Sequence, residues 1–188
     1  MKPMTVARKT LGAHVNWVMW ICGGCHVKSR HRLFVAIAYG KGVIMCEQFP
    51  PDLRFDGVNY RQFVLEHFPL ALEKSTNPVQ KLVLQDGDPV QKSRQAHLAY
   101  DAVRCSIFDI PARSPDLNPI ENMFHNVRRE LSEQARKRRI EKETYEEFAV
   151  RVMDTIKNMP MDVIDRTIAS LPKRMEMVIS SKGDRSKY

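Results

Sequence analysis

The sequence predicts an α/β fold, and three observations lead there. Two short apolar runs, 32–38 and 43–46, flank Tyr39-Gly40-Lys41-Gly42, the pattern of a β-hairpin around a glycine-rich turn. Strand-length apolar runs at 81–85 and 106–110 alternate with segments whose apolar residues recur at helical spacing. From Pro119 a longer amphipathic pattern begins. Hairpin, helix, strand, helix, strand, helix is an α/β order. At 188 residues, 43% apolar and 28% charged, the chain suits one soluble globular domain with a substantial core. It shows no internal repeat, low-complexity tract or linker long enough to divide it.

Residues 1–32 are the hardest to read. The run 15–22, Val-Asn-Trp-Val-Met-Trp-Ile-Cys, suits a strand by its β-branched and aromatic content. Its apolar part, 17–22, is far shorter than the roughly 20 residues of a membrane span. No secretory leader pattern opens the chain. Neither a membrane partner nor secretion is expected, so the four cysteines are expected as thiols. Cys22-Gly23-Gly24-Cys25-His26 admits a c-type haem attachment site, a zinc site or a redox pair. The haem site would need an exported context, and the redox pair a thioredoxin-like βαβ setting. Zinc would need a second ligand pair, which His31, Cys46 and Cys105 do not form. A Gly-Gly turn with incidental thiols is the simplest reading.

Pro50 and Pro51 end the hairpin. Over 55–72, Val58, Phe63, Val64, Phe68 and Leu72 recur near helical spacing and predict a helix. A polar loop at 74–78 leads into the strand 81–85. Ala96, Leu98, Ala99 and Val103 predict a helix over 91–103, with the strand 106–110 after it. Ile120, Phe124, Val127 and Leu131 form one buried stripe of a helix that runs from Pro119 past Leu131 toward Ile140. Three further amphipathic helices are expected at 144–158, 161–170 and 172–180. Their methionines, Met153, Met159, Met161, Met175 and Met177, read as core filler or a protein contact surface.

Net charge is +8 and unevenly spread. Residues 1–50 carry seven Lys and Arg against one acid, Glu47, while residues 81–120 are neutral and residues 121–188 carry fifteen bases and twelve acids. Two basic ends around a neutral middle favour a polyanionic partner, nucleic acid first. Arg128, Arg129, Arg136, Lys137, Arg138 and Arg139 crowd the polar side and far end of the long helix. They read equally as a solvated surface, partly balanced by Glu130 and Glu133, or as a phosphate-contacting stripe or nuclear-import tract.

The stretch 114–122, Ser-Pro-Asp-Leu-Asn-Pro-Ile-Glu-Asn, is loop chemistry running into a helix start. Asn118 suits the N-cap, Pro119 the first helical position and Glu121 the third, where a glutamate can close a capping box. The other reading is that a rigid loop and a helix N-terminus aim Glu121 at a metal. Upstream, the strand 81–85 runs into Gln85-Asp86-Gly87-Asp88-Pro89. An aspartate at the C-terminal end of a strand sits where α/β sheets place their chemistry. Thirty-four residues separate Asp86 from Glu121. With this gap, the two segments resemble the last two acidic motifs of mariner-like DDE transposases. Segments similar to the family's also stand at 35–43 and 182–188, and the resemblance runs from about residue 26 to the C-terminus.

The resemblance implies a ribonuclease-H-like mixed sheet with flanking helices, the hairpin strands being second and third, followed by a C-terminal helical extension. It implies a poorly matched segment at 1–25, a truncated catalytic core at 26–140 and helices packed on that core at 141–188. The implied activity is DNA cleavage and strand transfer with Mg or Mn, in the nucleus. DNA is the implied partner, a second transposase chain is a further candidate, and no small-molecule substrate is expected. Phosphodiester cleavage needs an activated water and a stabilised leaving alkoxide, which two magnesium ions about 4 Å apart supply when carboxylates hold them. On the resemblance Asp86 is the second catalytic, metal-binding acid and Glu121 the third, with Asp88 as a neighbouring helper.

The first acid of the family is missing. Residues 1–46 contain no Asp or Glu. Asn16 offers only a neutral amide, and Glu47 falls in a segment the family pattern already accounts for. The first strand is therefore expected to be lacking or replaced. The chain reads as the C-terminal portion of a transposase that binds divalent metal and DNA poorly and does not cut alone. Two alternatives stand beside this: an enzyme completed by Glu47 or a partner chain, and a non-enzymatic DNA- or protein-binding adaptor that keeps the fold.

Overall fold

Residues 33–38, Leu-Phe-Val-Ala-Ile-Ala, are apolar without alternation, and none is more than 4% exposed. Such a strand must be covered on both faces. In the computed structural model this run belongs to β2 (Arg32–Ala38), inside a five-stranded sheet. Residues 32–75, 81–85, 88–111 and 114–181 are described, together with the backbone of 19–23. The strands are β1 (Met19–Gly23), β2, β3 (Gly42–Phe49), β4 (Leu82–Gln85) and β5 (Ser106–Asp109), in the spatial order β3-β2-β1-β4-β5. The pairs β3–β2 and β2–β1 are antiparallel, whereas β1–β4 and β4–β5 are parallel. This is a mixed sheet of the ribonuclease-H-like kind.

The place of the first strand is filled. β1 lies between β2 and β4, with Met19 opposite Val83, Trp20 opposite Leu84 and Ile21 opposite Gln85. It overlaps the strand expected at 15–22, whose first four residues lie outside the described ones. Gly24, Cys25, His26 and His31 also lie outside them, so the Cys-Gly-Gly-Cys-His readings stay expectations. Asn16 and the terminal segment 182–188 stand likewise.

Two cores sandwich the sheet, because side chains alternate across it with period two. One face of β2, Phe34, Ala36 and Ala38, packs with Val83 against α1 (Gly57–Lys74) and α2 (Arg94–Ala102) through Tyr60, Phe63, Val64, Phe68 and Tyr100. Asp56 starts α1, its carboxylate accepting from the N–H groups of Val58 and Asn59 at 3.1 and 3.0 Å. The opposite face, Leu33, Val35 and Ile37, packs with Leu84 against α3 (Pro119–Arg138) through Ile120, Met123, Phe124 and Val127. The same core takes Val152 and Ile156 of α4 (Tyr145–Lys157), Ile164 and Ile168 of α5 (Met161–Ala169) and Leu171 of α6 (Leu171–Ser180). Met153, Met159 and Met175 pack against it, as core filler, while Met161 is exposed. No helix among the described residues is long and apolar enough to cross a membrane.

The hairpin turn shows how the last helices are fixed to the sheet. Gly40 and Gly42 have φ of 67° and 72°, left-handed backbone that glycine adopts without strain. The Gly40 N–H donates to Asp165 Oδ1 of α5 at 2.8 Å, tying the turn to a residue 125 positions away.

Candidate functional site

α3 begins at the end of a rigid turn. A 3-10 turn, Pro115–Leu117, precedes it, and the Asn118 N–H donates to the Pro115 carbonyl at 3.0 Å. The buried Asn118 side chain accepts from the Ile120 N–H at 3.3 Å, and Pro119 occupies the first helical position. A capping box would spend the Asn118 N–H on the Glu121 carboxylate. Here that N–H is committed to the turn, so the cap differs from the box the sequence suggested. Glu121 is half-buried in the first helical turn, at the positive end of the helix dipole, where a carboxylate is stabilised.

The second acidic motif begins where β4 ends. Asp86 follows Gln85 directly in sequence and lies outside the described residues. The structure therefore does not bring Asp86 and Glu121 together or apart. What holds Gln85 is well defined. Its side-chain oxygen lies 3.0 Å from the Tyr100 hydroxyl, which is also 3.2 Å from the Tyr60 hydroxyl and from the Gln91 carbonyl. The Gln85 amide nitrogen faces Asp109 Oδ1, at the end of β5, at 3.4 Å. Burial pushes both tyrosine hydroxyls far above their ordinary pKa, so they stay protonated and neutral. One hydroxyl thus joins both ends of the loop from Gln85 to Gln91. The amide of Gln91, fully buried, has no hydrogen-bond partner among the described residues.

Asp88 is occupied with structure. Its Oδ1 accepts from the Val90 N–H at 2.8 Å, and its Oδ2 lies 3.8 Å from Arg32, whose guanidinium also stacks on Phe55 at 3.9 Å. Glu47 stands opposite Phe34 on β3, the edge strand, with β2 and β1 between it and β4. Three strand spacings are about 14 Å, too far for Glu47 to share an ion with the end of β4. β1 itself, Met-Trp-Ile-Cys-Gly, carries no carboxylate. No group of three or more potential metal ligands occurs among the described residues.

The basic side chains of α3 divide in two. Arg128 and Arg129 are exposed, and Arg128 follows Glu121 by seven residues, two turns on and about 10 Å along the same side. Arg136 and Lys137 are tied to Glu133 at 2.7 and 3.4 Å, whereas Arg138 and Arg139 at the helix end are exposed without an acidic partner among the described residues. Arg139 has φ 54° and ends the helix in left-handed backbone.

Sequence reasoning missed Arg174. It is 1% exposed, with Nη1 donating to the Asp116 carbonyl at 2.6 Å and Nη2 to the Thr167 carbonyl at 3.1 Å. The signal was present: Arg174 stands between Leu171, Met175 and Val178, an arginine on the apolar stripe of a helix.

A mixed sheet in the order β3-β2-β1-β4-β5, with helices packed on both faces, defines the class, a ribonuclease-H-like fold. The comparisons agree. The crystal structure of the catalytic domain of Mos1 mariner transposase superposes with a TM-score of 0.77, covering 97% of this chain and 90% of that one at 19% identity. The Mos1 catalytic domain with Raltegravir and Mn gives 0.70, over 90% of this chain and 83% of that one, at 22% identity. A family model for DDE superfamily endonuclease matches residues 29–144. The chain belongs to that family, and it is mariner-like. The Tcb2 transposase of Caenorhabditis briggsae is 27% identical over 174 residues, 88% of this chain and 61% of that protein. The Tc1 transposase of Caenorhabditis elegans is 31% identical over 104 residues, 55% of this chain and 36% of that protein. The chain thus spans from about a third to three fifths of the curated relatives it matches.

Proposed function

We propose that this DDE endonuclease domain binds DNA and one divalent cation but does not cut DNA by itself. The observation that carries this is β1: it occupies the first-strand place beside β4 and offers no carboxylate. Carboxylates are the ligands that magnesium and manganese prefer. As a donor set, the carboxylates of Glu121, in the first turn of α3, and Asp86, which follows β4 in sequence, are of the kind that holds a cation together with water. They do not fit the family's three-acid arrangement. A bound cation would supply charge stabilisation at a phosphate oxygen and a more acidic water. This chain's own part is to hold Glu121 at a rigid helix start. Structures of the Mos1 catalytic domain with Mn and with Mg support the choice of ion. The Mos1 paired-end complex with a transposon end supports DNA as partner, and we extend this to a nuclear location, DNA integration and a second transposase chain.

Nicking of supercoiled DNA in Mg or Mn is the test. The purified chain is expected to leave the plasmid intact. Nicking that disappears in Asp86→Ala would show that the acid set is complete by some other residue. A second reading, a DNA-binding adaptor without metal, is favoured by exposed Arg128, Arg129, Arg138 and Arg139. It requires salt-sensitive DNA affinity that Asp86→Ala and Glu121→Ala leave unchanged.

A further inference from the structure

Arg174 is the one charged side chain among the described residues that is buried outright, and it sits where an aliphatic residue would pack. Replacing a buried ionic group by well-packed apolar residues is often neutral or stabilising, so packing alone does not account for an arginine there. What the guanidinium does is specific. One arm holds the carbonyl of Asp116, inside the 3-10 turn that leads to the N-cap of α3. The other holds the Thr167 carbonyl in α5, and the stem belongs to α6. Asp116 and Glu121 are five residues apart, with Pro119 between them and Asn118 bonded at both its backbone and side chain. A segment so restrained transmits a shift of the turn to the first turn of the helix.

We propose that Arg174 is the positioning residue for Glu121, through which the last two helices set the orientation of this acid. The proposal rests on the reading of Glu121 as a metal-binding acid. Charge-assisted hydrogen bonds from a planar fork fix direction as well as distance, which suits this task better than a lysine would.

The experiment compares the full chain with Arg174→Gln, Arg174→Lys and Val64→Ala. Val64 is buried in the opposite core, so its variant loses stability without touching the turn. Manganese affinity is measured by electron paramagnetic resonance, and amide exchange is followed at Ile120 to Met123. Arg174→Gln is expected to bind manganese roughly tenfold or more weakly and to exchange faster in the first turn. Arg174→Lys should fall between it and the parent chain, and it carries the comparison if Arg174→Gln does not fold. Val64→Ala should lower the melting temperature and change neither readout. Equal behaviour of the Arg174 variants and the parent overturns the proposal, as do equal losses in Val64→Ala. If the parent binds no manganese, the metal reading of Glu121 fails, and the exchange comparison alone decides whether Arg174 holds the turn.

Discussion

Among the described residues, Gln91 departs from the rule that buried polar groups are paired. Its amide lies fully buried with no partner among the described residues, while its carbonyl is within reach of Tyr100. An unmade buried hydrogen bond costs about 1–3 kcal/mol. Gln91→Met, close in volume, is expected to raise unfolding stability by about 1 kcal/mol, read from urea midpoints. The cysteines make the opposite point. Burial pushes the Cys46 thiol up to about 11 and the Cys105 thiol to about 12, so both remain protonated at neutral pH. Native-state alkylation is expected to leave both unmodified, and rapid labelling of either would contradict its burial. At this scale the sequence was only partly legible. Asn118 and Pro119 were recognisable as a helix start, because capping chemistry is local. The turn that takes the Asn118 N–H and the guanidinium that holds Asp116 were not, since both depend on residues brought together by the fold.

At the scale of elements, periodicity did well where one face is buried. α4, α5 and α6 stand within a residue of the expected 144–158, 161–170 and 172–180. α2 begins at Arg94 rather than residue 91, because Asp88 staples the turn through Val90 and Ser93 caps the helix, accepting from Ala96 at 3.2 Å. β3 runs to Phe49 rather than residue 46: on an edge strand the ladder continues through half-buried Glu47 and Gln48 after the apolar run stops. For α3 the elements carry a prediction. Glu133 partly offsets Arg136 and Lys137, whereas Arg128 and Arg129 make no such ion pair among the described residues. The double variant Arg128→Ala with Arg129→Ala is expected to weaken DNA binding and to flatten the salt dependence by roughly 0.9 per lost phosphate contact. Arg136→Ala should do less. The same slope in both variants would place the DNA elsewhere.

For the molecule as a whole, the helices beyond residue 140 form part of one core with the sheet. Ile164 is buried against β2 and β3 residues, and Ile164→Ala is expected to cost about 2–5 kcal/mol in denaturant unfolding. Acid should act on the same half of the molecule. Arg151 grips Glu143 at 2.6 and 2.7 Å and the Leu131 carbonyl at 3.1 Å, joining α4 to α3. The Arg151 guanidinium holds the Glu143 carboxyl below the usual carboxylate range. Its stabilisation is therefore full above the ordinary glutamate pKa of about 4.3 and fades as pH falls through the lower folded value. The stability gap between the parent and Glu143→Gln should shrink over that interval and be constant near neutrality. The overall architecture was legible because strand and helix periods are strong signals and the acidic motifs fix a family. The filled first-strand position was legible in part: the β-branched and aromatic run 15–22 marked a strand, but with no acid in it the sequence left the first strand lacking or replaced.

The claim that two acids survive at a site short of a third is tested most directly by manganese binding to the purified chain, beside Asp86→Ala and Glu121→Ala. Weak binding that is lost in each variant is the expected result. No binding by the parent chain, or binding that survives both substitutions, would contradict it.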